Sequence, residues 1–196
     1  MDVRGRIAIA DDDQIVRDFL RVSLEKLGYE VVVNASSAAA LISGCSSQHP
    51  DLVITDIEMP GPDGLTALEE SGISSETPVI ILSSHHDEQL VERVAESSAL
   101  AYLVKPIDFE DLRATIPLAI KRFEEIQSYR SDVASLRQDL ANRKIVEKAK
   151  GVIMTKLSMN ESVAFRHLQK LARDNRKQLV DIANSILLAE EALTVK

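Results

Sequence analysis

The chain is predicted to begin with an α/β domain, a doubly wound five-stranded parallel sheet, and to continue as a wholly helical part. Between residues 6 and 107, five short apolar runs alternate with amphipathic stretches whose apolar residues recur three and four positions apart. The five runs are apolar almost throughout, which is typical of strands buried on both faces of a parallel sheet. After residue 108 only the helical spacing continues.

The predicted strands cover residues 7–10, 31–33, 52–55, 79–82 and 102–104. The first intervening helix carries Val16, Leu20 and Leu24 on one face; Asp13 is its predicted N-cap and Gly28 its C-terminal cap. Because ligands of such sheets bind beyond the carboxyl ends of the strands, the residues that follow each strand are the candidates for a site.

A long helix is predicted from the N-cap Asp108, with Pro117 interrupting it and kinking it near Arg113. Farther along, apolar residues follow a heptad-like spacing with one short step, which is typical of a coiled coil. This seam consists of Ala119, Phe123, Ile126, Tyr129, Val133, Leu136 and Leu140. It is apolar on one side only, so it requires a partner: either the same helix of a second chain, giving a homodimer, or the chain's own domains.

Residues 141–196 are predicted to form a small all-α bundle of three helices. The first continues the long helix to Leu157, the second begins near Asn160, and the third follows Asn175, with Gln178 placed to complete a capping box. The predicted domains are therefore residues 1–122, a coiled-coil linker at 123–140, and residues 141–196.

Charge is distributed unevenly along the 196 residues. Residues 1–140 carry 12 Lys/Arg and 25 Asp/Glu, whereas residues 141–196 carry 11 and 6, so only the last part is suited to a polyanion. No apolar run is long enough to span a bilayer, and the single Cys45 has no disulfide partner. We therefore expect a cytoplasmic protein with no membrane association.

Acidic, hydroxyl and basic residues follow the predicted strands. Asp11 and Asp12 come after the first strand, Asp56 ends the third, Ser83 follows the fourth and Lys105 the fifth. Clustered carboxylates repel one another, and a hard divalent cation such as Mg²⁺ removes this conflict. One carboxylate is then free to accept a phosphoryl group, assisted by a lysine and a hydroxyl. In the alternative interpretation, Asp56 caps a turn and Lys105 is its buried ion-pair partner.

Four segments resemble those of response-regulator receiver domains, which have a flavodoxin-like fold. They are residues 9–17 (IADDDQIVR), 51–64 (DLVITDIEMPGPDG), 78–84 (PVIILSS) and 101–106 (AYLVKP). Ser98 departs from the family pattern, which has a helix-ending glycine before Ala99. The resemblance implies phosphorylation by a sensor histidine kinase, and no enzymatic activity beyond the receiver's own phosphorylation and dephosphorylation.

The resemblance also implies a role for each matching position. These are the phosphoacceptor Asp56, the direct Mg²⁺ ligand Asp12, its water-mediated partner Asp11, the metal-binding backbone carbonyl of Glu58, the switch hydroxyl Ser83, the aromatic switch Tyr102, and the phosphate-binding Lys105, followed by Pro106 in a cis peptide.

Residues 140–154 (LANRKIVEKAKGVIM), 161–168 (ESVAFRHL) and 179–183 (LVDIA) are similar to the ANTAR domain, an RNA-binding antitermination module. The resemblance implies binding of paired RNA hairpins in nascent transcripts. Candidate RNA-binding residues are Arg143, Lys144, Lys148, Lys150 and Phe165. The basic residues equally fit a solvated face, and Phe165 fits the domain core better than base stacking. Gly151, inside a helix, suggests close approach by another helix or by RNA.

Two other functions compete with this interpretation. A DNA-binding regulator would use the last three helices as a helix-turn-helix, but no short glycine-containing turn sets up a recognition helix. A protein-protein signalling adaptor would dimerise through the seam and bind no nucleic acid. Our working hypothesis is that phosphorylation moves Ser83 and Tyr102, promotes pairing of the seam, and presents two basic bundles to two hairpins.

Overall fold

The structure, a computed structural model, describes residues 3–59, 64–84 and 99–194. Residues 60–63 of the second receiver-like segment and Ser98 lie outside the described residues. The chain divides into two compact units, residues 1–127 and 128–196. The predicted domain boundaries at residues 122 and 140 remain predictions.

The first unit is built on one parallel five-stranded sheet. Its strands are β1 (Arg6–Ala10), β2 (Glu30–Ala35), β3 (Leu52–Asp56), β4 (Val79–Ser83) and β5 (Ala101–Val104). Their order is β2-β1-β3-β4-β5, so β1 and β3 are neighbours, with Ala10 paired to Thr55. The strand order reverses between β1 and β3, and a ligand site is expected at the carboxyl ends of these two strands.

Four helices of the first unit are described, and the first two begin at residues whose side chains cap them. They are α1 (Gln14–Lys26), α2 (Ala38–Gln48), α3 (Gly64–Glu70) and α4 (Ile73–Glu76). The Asp13 carboxylate accepts from the Ile15 backbone N–H at 2.8 Å, as an N-cap does. Gly28 has φ +88°, so the predicted glycine cap after α1 is confirmed.

Two apolar clusters cover the two faces of the sheet. One joins Ala8 and Ile81 to Leu41 of α2 and Leu68 of α3. The other joins the remaining strand residues to α1 and to the long helix that follows β5, at residues such as Ile9, Leu20, Leu24, Leu112 and Ile116. The alternating residues of each buried strand thus face opposite helical layers.

Gly44 allows α2 to lie close to the sheet. A Cβ built at this position would lie 2.5 Å from Val33 Cγ1, which real Cβ atoms do not tolerate. The absence of a side chain at residue 44 therefore sets the distance between α2 and β2.

One uninterrupted helix, α5 (Phe109–Leu157), begins in the first unit and ends in the second. Asp108 is its N-cap, as predicted: its carboxylate accepts from the Asp111 backbone N–H at 2.8 Å, and Asp111 accepts from the Asp108 N–H at 3.0 Å. Pro117 lies inside this helix, which continues past it, and the kink expected near Arg113 remains a prediction. Proline removes only one backbone donor, and Ile116 and Ala119 on either side of it are buried and hold the helix against the sheet.

The second unit contains the end of α5 together with α6 (Glu161–Asp174) and α7 (Leu179–Thr194). Its core is formed by small and branched residues that alternate at helical spacing, namely Ala149, Ile153, Ala164, Leu168, Ala172, Ile182 and Ala183. Asn160 is the N-cap of α6, accepting from Val163 at 3.0 Å.

The predicted cap of the third bundle helix is corrected by the structure. Asn175 is the C-cap of α6, and its side-chain amide donates to the Leu171 carbonyl at 2.8 Å. The N-terminus of α7 is bonded instead by the Asp181 carboxylate, which accepts from the Gln178 backbone N–H at 3.3 Å. The sequence between Asn175 and Leu179 thus ends one helix before it starts the next.

The predicted fold class is confirmed: an α/β unit with a doubly wound parallel sheet, then helices only. Each predicted strand is present, extended in the structure by one or two residues at one or both ends. None of the described helices combines the length and the apolar character that crossing a membrane would require.

Candidate phosphoryl-acceptor site and basic helix

Three of the predicted site residues come together at the carboxyl edge of the sheet. Asp11 directly follows β1, Asp56 is the last residue of β3, and Lys105 directly follows β5. Because the strands are parallel, their carboxyl ends lie at the same edge, and the long lysine side chain spans the distance from β5 past β4.

The Lys105 ammonium bridges the two buried carboxylates. Its Nζ lies 2.5 Å from Asp56 Oδ2 and 2.7 Å from Asp11 Oδ2. The Asp11 side chain is fully buried, whereas 16% of the Lys105 side chain is exposed, so the lysine covers the carboxylates from the solvent side. Both the predicted phosphate-binding role and the alternative of a buried ion pair include this contact.

Burial and charge shift the proton affinities at this edge. Burial raises the pKa of Asp11 above its ordinary value, and Lys105 beside it offsets this only in part. For Lys105, burial acts to lower the pKa, but contact with Asp11 and Asp56 outweighs it and the pKa lies above its ordinary value. At neutral pH the ammonium is therefore fully charged.

The acidic cluster has the chemistry of a site for a hard divalent cation. Carboxylate oxygens of Asp11, Asp12 and Asp56 all lie within 4.8 Å of one another, and Asp12 is exposed to incoming ligand. Asp11 Oδ2 is completely buried, and within the described chain it has the Lys105 ammonium at 2.7 Å and no other hydrogen-bond donor. Three carboxylates this close together, two buried and one exposed, are a donor set that fits a Mg²⁺ ion.

The loop carrying this cluster is held from α1 by a residue that the sequence analysis missed. Arg17 Nη1 donates to the Asp11 carbonyl at 2.7 Å and to the Asp12 carbonyl at 3.1 Å. Asp11 Oδ1 also accepts from the Asp13 backbone N–H at 2.9 Å. The sequence pattern could have indicated this contact. Arg17 follows the N-cap Asp13 by four residues, so it lies on the first turn of α1, from which its side chain can reach back to the acidic loop.

The other receiver-like residues lie around the same edge. Glu58 donates its backbone N–H to Asp56 Oδ1 at 3.0 Å, which turns the chain directly after β3. Ser83 is fully buried at the end of β4, where its carbonyl accepts from the Lys105 N–H at 2.8 Å. Tyr102 is half-buried on β5 and packs against the apolar cluster that contains Leu41 of α2. The Lys105–Pro106 peptide is cis, as the resemblance implied.

An apolar pocket opens beside Lys105. Its volume is about 480 Å³, and it is lined by Ile15, Val16, Phe19, Lys105, Pro106 and Ile107. Ile15 is 79% exposed although it is a large aliphatic residue. The acidic cluster is therefore flanked by an exposed apolar surface of α1 and of the segment that follows β5.

In the second unit, the five predicted RNA-binding residues divide into two groups. Arg143, Lys144 and Lys148 are exposed on α5. Lys150 is buried to 8% exposure, and its ammonium contacts Glu147 at 2.5 Å and Glu161 at 2.8 Å. These contacts raise the pKa of Lys150, and Lys150 lowers that of Glu161. This geometry favours a structural role for Lys150, joining α5 to α6, over contact with RNA.

Phe165 lies on the surface and not in the core. It is 37% exposed and does not belong to the apolar cluster of the second unit, so the expectation that it fills the core is corrected. Ala164 and Leu168 occupy the buried face of α6, and Phe165 lies one position off that face.

The coiled-coil seam has buried members at its beginning and exposed members farther along. Ala119 is buried in the first unit, and Phe123 is half-buried. The later members are exposed, with Tyr129 at 69%, Leu136 at 62% and Leu140 at 60%. The first unit therefore covers the beginning of the seam, whereas its members from Tyr129 onward are exposed.

Comparison with known proteins agrees with this division into units. A family model described as the response regulator receiver domain matches residues 7–117, and the ANTAR domain model matches residues 134–187. The chain thus belongs to the response regulators in which a receiver domain is followed by an ANTAR domain.

Similar proteins include one that resembles nearly the whole chain. The transcriptional regulatory protein PdtaR of Mycobacterium tuberculosis is 38% identical over 185 residues, which cover 94% of this chain and 90% of PdtaR. The transcriptional regulatory protein AruR of Pseudomonas aeruginosa is 33% identical over 63% of this chain and 52% of its own length. A receiver domain structure from Clostridium thermocellum is 31% identical, with a TM-score of 0.57, over 62% of this chain and 98% of that domain.

Proposed function

We propose that the protein accepts a phosphoryl group on Asp56 from a sensor histidine kinase and acts as a transcription antiterminator by binding hairpins in leader RNA. The observation that carries the first half is the Lys105 ammonium bridging Asp11 and Asp56 within a three-carboxylate cluster. The second half is supported by the ANTAR domain and by the exposed basic side of α5.

A Mg²⁺ ion would be held by Asp11, Asp12 and Asp56, together with the backbone carbonyl of Glu58. When bound, it offsets negative charge on the oxygens of the transferring phosphoryl group. The donor set supports this assignment, because three neighbouring carboxylates share a single ammonium, that of Lys105, and a divalent cation would offset the remaining negative charge.

In the proposed transfer, a carboxylate oxygen of Asp56 forms a bond to phosphorus while the P–N bond of a phosphohistidine breaks. The leaving ring nitrogen keeps the electron pair and takes a proton. Lys105 exchanges its contact with Asp56 Oδ2 for one with a phosphoryl oxygen, and the Ser83 hydroxyl donates to another. We propose no catalytic activity beyond this self-phosphorylation and the hydrolysis of the phosphoaspartate.

The apolar pocket beside Lys105 is the proposed docking place of the kinase. A protein donor must bring its phosphohistidine to within bonding distance of Asp56, so its own surface has to contact the rim of the site. The exposed Ile15 and Phe19 on α1 offer such a rim.

The exposed part of the seam supports a homodimer as the active form. Val133, Leu136 and Leu140 lie within two turns of one helix side and are all exposed. Pairing two copies would bury them and bring two basic helices together, so that two hairpins are bound by one assembly.

The phosphorylation half is tested with Mg²⁺ and a small phosphodonor such as acetyl phosphate. We expect a single added phosphoryl group that is stable in acid, labile in base and located by peptide mass spectrometry at residue 56. The Asp56→Asn variant is the control and should remain unmodified. Modification of wild type and Asp56→Asn alike would refute the assignment.

The RNA half is tested by sequencing the RNA that is crosslinked to the protein in cells, with Asp56→Ala in parallel. We expect enrichment of transcript leaders that fold into two hairpins, reduced in the variant. Recovery of duplex DNA, or of no nucleic acid, would favour the DNA-binding regulator or the adaptor instead.

A further inference from the structure

Gly151 occupies a position that no contact within the described chain explains. It lies inside α5, where glycine is less favourable than any residue except proline. A glycine in a helix is explained where another part of the chain approaches closely, as the Val33 side chain approaches Gly44. A Cβ built at Gly151, in contrast, meets no described atom within 4 Å.

The side of α5 that carries Gly151 is basic and exposed. Seven residues make almost two helical turns, so Lys144 lies on the same side as Gly151, with Lys148 and Thr155 one turn away on either side. All are exposed, while Ile153 and Ala149 on the other side of the helix are buried in the core. We call Lys144, Lys148, Gly151 and Thr155 the glycine face.

The cations of this face keep their charge uncompensated. Within the parts of the chain that the structure describes, Lys144 and Lys148 form no ion pair, whereas Lys150 has two carboxylate partners. Glu147 is the acidic neighbour of the face, and its carboxylate is engaged by Lys150. A partner that covers Gly151 must therefore bring negative charge with it.

We infer that the glycine face receives the sugar-phosphate backbone of an RNA hairpin, with Gly151 as the point of closest approach. The inference rests on the proposed RNA-binding function and adds which side of which helix is used and which chemical part of the RNA it contacts. The missing side chain lets a ribose or phosphate reach the helix backbone, and the lysines on either side pair with the adjacent phosphates.

A second copy of α5 is the competing occupant, because the exposed seam ends at Leu140 on nearly the same side of the helix. Beyond Leu140 this side carries Lys144 and Lys148. In a symmetric parallel pair, each of these lysines would face its own copy, and like charges repel. Charge complementarity therefore favours RNA after residue 140.

The test uses full-length Gly151→Ala and Gly151→Leu variants. Since an added side chain meets open space, both variants should fold. Replacing a helix glycine should also raise the melting temperature of the second unit by about 4 to 8 °C. RNA affinity should fall roughly fivefold or more for alanine and further for leucine, because added atoms separate the two surfaces.

The RNA probe is a tandem two-hairpin RNA that the wild-type protein selects from a pool with randomised loops. Lys148→Gln serves as a second change on the face and should also weaken binding. Asn184→Leu on α7 is the matched control, since it likewise adds bulk and helix propensity at an exposed helical position, and its RNA affinity should equal that of wild type.

The two proposals fail in different ways. If wild type binds the selected RNA and both Gly151 variants bind it equally well, the glycine face is not the contact, while RNA binding stands. If the Gly151 variants change the monomer–dimer equilibrium and not RNA affinity, the face belongs to a second copy and the inference is wrong. If wild type enriches no RNA over a random duplex, both proposals are wrong.

Discussion

Replacing Lys105 with methionine removes the only charge that separates the buried carboxylates in the described site. The ammonium lies 2.7 Å from Asp11 Oδ2 and 2.5 Å from Asp56 Oδ2. Methionine has a similar length and fills the same volume, so Lys105→Met changes the charge and little else. The variant leaves two carboxylates facing each other with no cation between them.

The loss of stability in Lys105→Met can be estimated from the distance between the carboxylates. Two unit charges 4.8 Å apart repel by about 3.5 kcal/mol at an effective dielectric constant of roughly 20. Removing one member of a buried pair typically costs about 3 to 5 kcal/mol. Because Lys105 is partly exposed, the lower end applies, and we expect the free energy of unfolding of the first unit to fall by about 3 kcal/mol at pH 7 without Mg²⁺.

The loss should depend on pH with a defined sign. Burial already raises the pKa of Asp11 above 3.8, and removing Lys105 raises it further. A carboxyl whose folded-state pKa is raised binds protons more tightly in the folded state. Its destabilising effect therefore grows as pH rises from about 3.8 through the folded-state pKa, and it vanishes below that range. The deficit of the variant relative to wild type should shrink toward acidic pH.

Magnesium should reverse the deficit. In Lys105→Met the cation no longer competes with an ammonium for the carboxylates, so saturating Mg²⁺ should stabilise the variant more than wild type. Urea denaturation at pH 5 and pH 7, with Mg²⁺ and with a chelator, measures both effects. Lys121→Met, an exposed lysine of α5, is the control and should lie within about 0.5 kcal/mol of wild type. Equal stability of Lys105→Met and wild type in chelator, or equal stabilisation of both by Mg²⁺, would refute the reasoning.

Three more predictions follow from particular contacts. Arg17→Gln loses the hydrogen bonds to the carbonyls of the acidic loop and should weaken Mg²⁺ binding about tenfold in calorimetry. The exposed Arg21→Gln is the control and should bind Mg²⁺ as wild type does. Equal Mg²⁺ affinities of Arg17→Gln and wild type would show that Arg17 does not support the site. Leu136→Glu should abolish any dimer that phosphorylation promotes, as measured by sedimentation, whereas Gln138→Glu on another side of α5 should leave the dimer intact. A dimer that persists in Leu136→Glu would show that the seam is not the dimer interface. Lys150→Gln should lower the melting temperature of the second unit, because it loses the contacts with Glu147 and Glu161. Below that temperature the variant should bind RNA as wild type does. Weaker RNA binding by the folded variant would show that Lys150 contacts RNA.

The fold of the first unit was predictable because its pattern is regular. Five apolar runs that alternate with amphipathic helices permit few arrangements other than a doubly wound sheet. Once the strands are parallel, the residues after them must meet at one edge, so the proximity of Asp11, Asp56 and Lys105 follows from topology alone. The N-caps Asp13 and Asp108 were predictable for a local reason, since a short acidic side chain before an amphipathic stretch bonds to the free N–H groups of the first turn.

Contacts that depend on tertiary packing were not predictable. Lys150 looks like its exposed neighbours in sequence, and only its position against Glu161 of α6 shows that it is enclosed. Phe165 was expected in the core because aromatic residues fill small domains, but Ala164 and Leu168 already occupy the buried side of that helix. The hydrogen bonds of Arg17 were not predictable either, because they depend on how the loop after β1 places its carbonyls.

A phosphoryl group on Asp56 is expected to change the RNA affinity of the helical unit. The most direct measurement is the affinity of the full-length protein for its selected two-hairpin RNA at fixed salt, before and after phosphorylation by a small phosphodonor with Mg²⁺, with Asp56→Asn treated identically. We expect phosphorylation to strengthen binding by about tenfold or more in wild type and not at all in Asp56→Asn. An RNA affinity that stays the same in fully phosphorylated wild type would contradict the account.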